Sequence, residues 1–197
     1  MNLANRLTLI RWALVPVFML FTIMDHFWTR VLALIIFIAA GLTDLYDGYL
    51  ARKRNEITEF GKLMDPLADK FLTSAAYISF VGMRELDVAP WMVVLIVGRE
   101  LLVTGLRVLA ASKGEVLAAD RQGKIKTVIQ VIVVIAILIV LCLNSFCRRF
   151  RDHPPFEFLS RMPYWLVFIS MLVTLYSGVL YLYRNRHLYS KDVGLKL

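Results

Sequence analysis

The chain is short of charge, cysteine and histidine. Only 19% of its 197 residues are charged, where soluble domains carry ~25%. With 59% hydrophobic residues and a mean hydropathy of +0.65, that shortage excludes an ordinary water-soluble globule and a disordered chain. The two cysteines, Cys142 and Cys147, stand together at the end of one apolar stretch. They form no disulfide framework and have no zinc spacing, so they are expected to pack. The three histidines, His26, His153 and His187, are too far apart to be paired ligands on one helix. No small-residue cleavage pattern follows the first apolar run, so a cleavable signal peptide is not expected. Repeats, low-complexity segments and soluble linkers are lacking, which leaves one domain over 1–197. The formal net charge of +8 and pI of about 9.7 come without a nucleic-acid-binding motif. The expected partner of these cations is therefore a bilayer and not a nucleic acid.

What the sequence has is apolar length. Six runs are each near the ~20 residues that cross a bilayer: about Leu7–Met24, Val31–Leu50, Phe60–Met83, Pro90–Ala111, Ile125–Phe146 and Tyr164–Tyr183. Without water to satisfy the backbone, such runs cross as helices. The expectation is an all-α integral membrane protein with six transmembrane helices, the first interrupted at Pro16 and preceded by a short amphipathic lead-in over Asn2–Leu7. Six crossings put both termini on one side. Thirteen of the 23 Lys and Arg residues fall on that side and six on the other, which puts the termini in the cytoplasm. The outer-loop cluster Arg148-Arg149-Phe150-Arg151 runs against that bias. Trp12, Trp28, Trp91 and Trp165, near span ends, read as an aromatic belt.

The acids are where an apolar span can least accommodate them. Asp44 and Asp47 end the second span; Asp65 and Asp69 open the third. Each carboxylate at mid-bilayer costs ~2.5–3.5 kcal/mol, so four cost on the order of 10 kcal/mol if additive, and less where they lie near the interface. The first two share a helix face at i, i+3 and the second two at i, i+4. A tight turn near Asn55 brings the two faces together. Four like charges at close range repel unless cations intervene, and all-oxygen ligation suits Mg²⁺ or Mn²⁺. Two divalent cations would neutralise the four charges. The plainer alternatives are Asp65 as a helix cap ahead of Pro66 and Asp69 paired with Lys62 or Lys70. Gly48 and Ala51 share a face and suit either a ligand against the backbone or close helix packing.

Written out, the segment is Asp44-x-x-Asp47-Gly48-x-x-Ala51-Arg52, eight residues, then Gly61-x-x-x-Asp65-x-x-x-Asp69. It resembles the signature of the CDP-alcohol phosphotransferase family at every fixed position. Asn5-x-Leu7-Thr8-x-x-Arg11, Arg99-Glu100, Thr104-Gly105-Leu106-Arg107 and Gly123-Lys124-Ile125-Lys126-Thr127 are similar to one bacterial branch of that family, with Ala4 where a proline often stands. The resemblance covers roughly residues 2–130. It implies transfer of the phosphatidyl group of CDP-diacylglycerol to sn-glycerol 3-phosphate, with release of CMP, at a bacterial inner membrane, by a homodimer whose active site faces the cytoplasm. It implies Asp44, Asp47, Asp65 and Asp69 as metal ligands, Asp69 also as general base, and Asp44, Gly48, Ala51 and Arg52 around the CDP moiety.

An acceptor carrying a phosphate calls for further cations. Arg107 within the fourth span is the strongest candidate, since an intramembrane charge is functional by default and arginine suits bidentate phosphate contact. Lys124 and Lys126 read equally well as acceptor ligands or as positive-inside flanking residues. Arg99 is expected to pair with Glu100, and Thr127 is a further hydroxyl candidate. Two readings compete: a related enzyme with inositol phosphate or phosphatidylglycerol as acceptor, and a cation transporter that uses the four acids as its ion site.

Overall fold

The computed structural model describes the backbone over 3–54, 59–112, 121–150 and 157–186, and side chains over 10–43, 70–111, 123–147 and 161–186. All regular structure among these residues is helical: α1 Leu3–Ile23, α2 Phe27–Arg54, α3 Glu59–Val81, α4 Pro90–Ser112, α5 Arg121–Phe150 and α6 Glu157–Arg184. Each apolar run falls in one helix; α2, α4, α5 and α6 extend beyond theirs, whereas α1 and α3 end one and two residues short of Met24 and Met83. α1 starts at Leu3, so the lead-in residues from Leu3 onward are part of its first turns, and it continues through Pro16 without a break. A proline removes one ladder hydrogen bond, a loss that a packed membrane helix accommodates.

The helices pack as a ring in the order α1, α2, α5, α6, α4, α3, closed where α3 returns to α1, and α3 also touches α5 and α2. Its inward face is built from Leu72, Ala75, Ala76, Tyr77 and Phe80, all buried. Ala33 and Ala40 on α2 and Ala75 and Ala76 on α3 are small enough to let helices approach closely. Phe18, Phe37, Met92, Ile96, Ile137 and Leu138 complete the core.

The outer surface is also rich in large apolar side chains. Leu20, Trp28, Val94, Leu101, Ile132 and Val179 are all exposed. Two helices, Gly123–Cys147 and Arg161–Arg184, are long and apolar enough to cross a membrane among the described residues, and only 44% and 39% of their most apolar windows are buried inside the protein. The remainder needs an apolar solvent. Trp28 and Trp91 are exposed at the starts of α2 and α4, and Trp165 is exposed eight residues into α6. Trp12 departs from the expected belt. It lies midway along α1 and stacks on Phe71 of α3, with ring centroids 4.6 Å apart.

One end of the ring is held by a buried charge. Arg30, 1% exposed at the start of α2, donates to Ser145 Oγ at 2.7 Å and to the Leu141 carbonyl at 3.3 Å on α5. It also pairs with Asp25 at 3.2 Å and with Glu85 in the α3–α4 connection. In that connection Asp87 has a φ of 49°, a left-handed turn that aspartate tolerates, before Pro90 opens α4. The four acids lie toward the other end of α2 and the first half of α3.

Candidate active site

α2 carries Asp44, Asp47, Gly48, Ala51 and Arg52 in its last three turns, and α3 carries Gly61, Asp65 and Asp69. Their side chains, and the expected turn at Asn55, lie outside the described residues; the helix bounds fix their heights. Asp44 stands ten residues before the end of α2 and Asp69 ten residues after the start of α3. At 1.5 Å per residue each is about 15 Å along its helix from the connection. Asp47 and Asp65 stand seven and six residues from it, about 10 Å and 9 Å. α2 and α3 touch, and counted along each helix Asp44 matches Asp69, and Asp47 matches Asp65 to within one residue. The helix-cap alternative for Asp65 fails, because α3 starts at Glu59 and places Asp65 in the helix interior. Four carboxylates, all oxygen donors, have the donor chemistry that hard divalent cations prefer.

One residue beyond Asp69 the side chains are described, and they lead into a buried polar cluster. Lys70 bonds Thr104 of α4 and lies 3.8 Å from Glu100 Oε2. Glu100 is the one buried acid among the described residues. Its Oε1 also accepts from Lys126 of α5, and from Arg99 Nη1 at 3.2 Å. Arg99 in turn donates to Ser177 Oγ of α6 at 2.9 Å. A small cavity of about 30 Å³, lined by Lys70, Thr73, Ser74, Tyr77, Glu100 and Lys126 among others, adjoins these groups. It is large enough for a water molecule. Deeper in the bundle, Gln130 donates to Thr174 Oγ1 at 3.1 Å, and Tyr77 and Ser170 share a 2.7 Å hydrogen bond.

The structure separates residues that the sequence left equivalent. Lys126 is buried and ion-paired, whereas Lys124, two residues earlier, is exposed. Arg99 has the expected partner, Glu100. Arg107 is exposed on α4 and leans on α6: its Nε donates to Tyr181 Oη at 3.4 Å and its guanidinium lies 5.7 Å from that ring centroid. The Thr127 hydroxyl donates to the Gly123 carbonyl at 3.1 Å, so its proton serves its own helix. From the sequence, Glu100 and Lys70 were named only as ion-pair partners, of Arg99 and Asp69, and Tyr181 was not named. The rule that marked the aspartates, a charge inside an apolar span, applies equally to Glu100 and Lys70.

A second cavity, of about 390 Å³, lies along α2 and α5 and is lined by Phe37, Gly41, Leu42, Leu72, Val131 and Ile135 among others, with Arg11 and Thr127 also on its wall. It reaches within one turn of Asp44. Leu42, Val128 and Ile132 on its lining are exposed at the protein's outer surface.

The family model for CDP-alcohol phosphatidyltransferases matches residues 1–180. The chain belongs to this family. Members generally work with divalent cations. A Bacillus subtilis relative named CDP-diacylglycerol–glycerol-3-phosphate 3-phosphatidyltransferase is 41% identical over 199 aligned residues, covering 93% of this chain and 95% of the relative. A probable phosphatidylglycerophosphate synthase of Mycobacterium tuberculosis is 45% identical over 137 residues, covering 68% of this chain and 64% of the relative. An Arabidopsis thaliana relative, CDP-diacylglycerol–glycerol-3-phosphate 3-phosphatidyltransferase 2, is 35% identical over 193 residues, covering 92% and 78%. As a CDP-alcohol phosphatidyltransferase, the chain has its four signature aspartates on α2 and α3, and its Lys70–Glu100–Lys126 cluster one residue further along.

Proposed function

We propose that this protein transfers the phosphatidyl group of CDP-diacylglycerol to sn-glycerol 3-phosphate, forming phosphatidylglycerophosphate and releasing CMP. The observation that carries the reading is the 41% identity, over nearly the whole of both chains, to a relative named for this reaction. The proposed setting is a bacterial inner membrane crossed by all six helices, with the aspartate end facing the cytoplasm and a homodimer as the working assembly.

Asp44, Asp47, Asp65 and Asp69 are the ligands proposed for two divalent cations, Mg²⁺ or Mn²⁺. When bound, these ions supply positive charge that stabilises the phosphate oxygens and the leaving group. Gly48 and Ala51 leave room for the cytidine, and Arg52 and Asp44 lie with them on the nucleotide side. Asp69 accepts the proton of the acceptor hydroxyl. That oxygen forms the new bond to the phosphatidyl phosphorus, the bond from this phosphorus to the CMP oxygen breaks, and CMP leaves with the electron pair. Arg107, Lys124 and Lys126 hold the acceptor's phosphate, and holding both reactants in place supplies much of the acceleration. The cavity along α2 and α5 suits an acyl chain of the donor, since its walls are mostly apolar and its lining reaches Leu42, two residues from Asp44.

The test is CMP release from CDP-diacylglycerol with a panel of acceptor alcohols, with and without chelator. Release driven by glycerol 3-phosphate and abolished by chelator is expected. Release driven instead by phosphatidylglycerol or inositol phosphate would overturn the assigned acceptor. Metal flux in liposomes without CMP release would overturn the enzyme reading altogether.

A further inference from the structure

Among the described residues, a single buried carboxylate faces cations from three helices. Glu100 of α4 meets Lys126 of α5 and Lys70 of α3, together with its own neighbour Arg99 at 3.2 Å. All but Lys70 are buried, and Lys70 is half-buried and also bonded to Thr104. Such a group is a poor source of net stability, because desolvating the charges offsets most of their attraction. What it supplies is geometry. A lysine is a point charge on a flexible four-carbon stem. An ammonium held by a carboxylate on a neighbouring helix has one position instead of many, and preorganised groups bind more tightly because little ordering remains to be done.

We propose that Glu100 is a positioning residue for the acceptor. It makes no contact with the substrate, and it holds Lys126 and Lys70 at the height where the acceptor's phosphate binds. This rests on the acceptor reading given above, in which Lys126 is a phosphate ligand. Lys70 ties the same cluster to the general base, since it follows Asp69 on α3. The chemistry selected is a small, phosphate-bearing alcohol. A neutral alcohol has no use for ammonium groups fixed in this way.

The experiment measures KM for glycerol 3-phosphate and for CDP-diacylglycerol, together with melting temperature, in Glu100→Gln, Glu100→Asp, Lys126→Ala and the double variant Glu100→Gln/Lys126→Ala. Glu100→Gln is expected to raise KM for glycerol 3-phosphate about tenfold and KM for the donor less than about twofold. Glu100→Asp keeps the charge and draws it back by one methylene, so it should give an intermediate acceptor KM with the donor KM unchanged. In the Lys126→Ala background, Glu100→Gln should raise the acceptor KM by clearly less than it does alone, because only its hold on Lys70 remains to be lost. An unchanged acceptor KM in Lys126→Ala would remove Lys126 from the acceptor site, a failure of the earlier reading. A raised KM in Lys126→Ala with additive or absent effects at Glu100 would overturn the positioning role alone. Equal rises in both KM values, with a lowered melting temperature, would make Glu100 purely structural. If Glu100→Gln does not fold, Glu100→Asp decides: an acceptor KM equal to wild type overturns the proposal.

Discussion

Among the described glycines, Gly178 has the least room for a side chain. A Cβ built there lies 2.7 Å from Arg99 Cγ, 3.1 Å from its Nε and 3.5 Å from its Cδ. The first is well inside contact distance, and the atom struck is near the root of the arginine stem, so the side chain cannot swing clear from its far end. Gly178→Ala therefore displaces Arg99, which is 9% exposed and held by Ser177 at 2.9 Å and Glu100 at 3.2 Å. Overpacking costs about 1–3 kcal/mol and a lost bond to a buried charge about 1.5–3 kcal/mol. Partial relaxation leaves about 2–4 kcal/mol, which for a chain of this size lowers the melting temperature by roughly 5–15 °C. The assay is thermal unfolding in detergent. Gly98→Ala is the control, because a Cβ at Gly98 meets nothing within 4 Å. It should be neutral or slightly stabilising, since alanine is the better helix former. In an Arg99→Ala background the cost of Gly178→Ala should disappear. A Gly178→Ala protein that melts with wild type, or a cost that persists without the Arg99 side chain, would refute the reasoning.

Other perturbations separate the working end of the molecule from the end that only holds it together. Asp69→Asn should nearly abolish CMP release while equilibrium binding of the donor largely survives; unchanged turnover would take the base role away from Asp69. Arg107→Ala should raise KM for glycerol 3-phosphate far more than KM for the donor, and equal effects would make its contact with Tyr181 a packing contact alone. Arg30→Met breaks a buried pair and should lower stability by about 3–5 kcal/mol with both KM values unchanged, as measured by melting and steady-state kinetics; a selective rise in one KM would contradict the separation. Gly41→Phe projects into the cavity between α2 and α5 and should slow turnover of long-chain CDP-diacylglycerol more than that of a short-chain analogue, and a uniform effect would remove the acyl chain from that cavity.

Much of the architecture was legible because a bilayer leaves the chain few choices. Six apolar runs of span length became six helices, several of them longer than the run because charged ends such as Arg52–Arg54 are still helical. The aspartates were legible for the same reason: carboxylates there need an explanation that packing does not supply. Pairwise neighbours were not legible. Nothing in the spacing indicates that Lys126, 26 residues after Glu100, meets it, because that contact depends on how α4 and α5 sit in the ring. Lys124 and Lys126 have identical sequence credentials, and two residues of helical rotation put one outside and the other inside. Trp12 misled for a related reason. Its place near the start of the chain suggested an interface, but α1 begins at Leu3, which puts Trp12 nine residues along the helix, stacked on the exposed Phe71.

The cavity along α2 and α5 has a kinetic consequence. Its lining includes residues exposed on the outer flank of the ring, so a hydrocarbon tail would arrive sideways from the bilayer, while a polar phosphate ester would come from the water. The two reactants would then never share a phase before they meet. The relevant measure of the lipid would be its mole fraction in the surface, and in mixed micelles, diluting it with inert detergent would depress the rate even at fixed bulk amount.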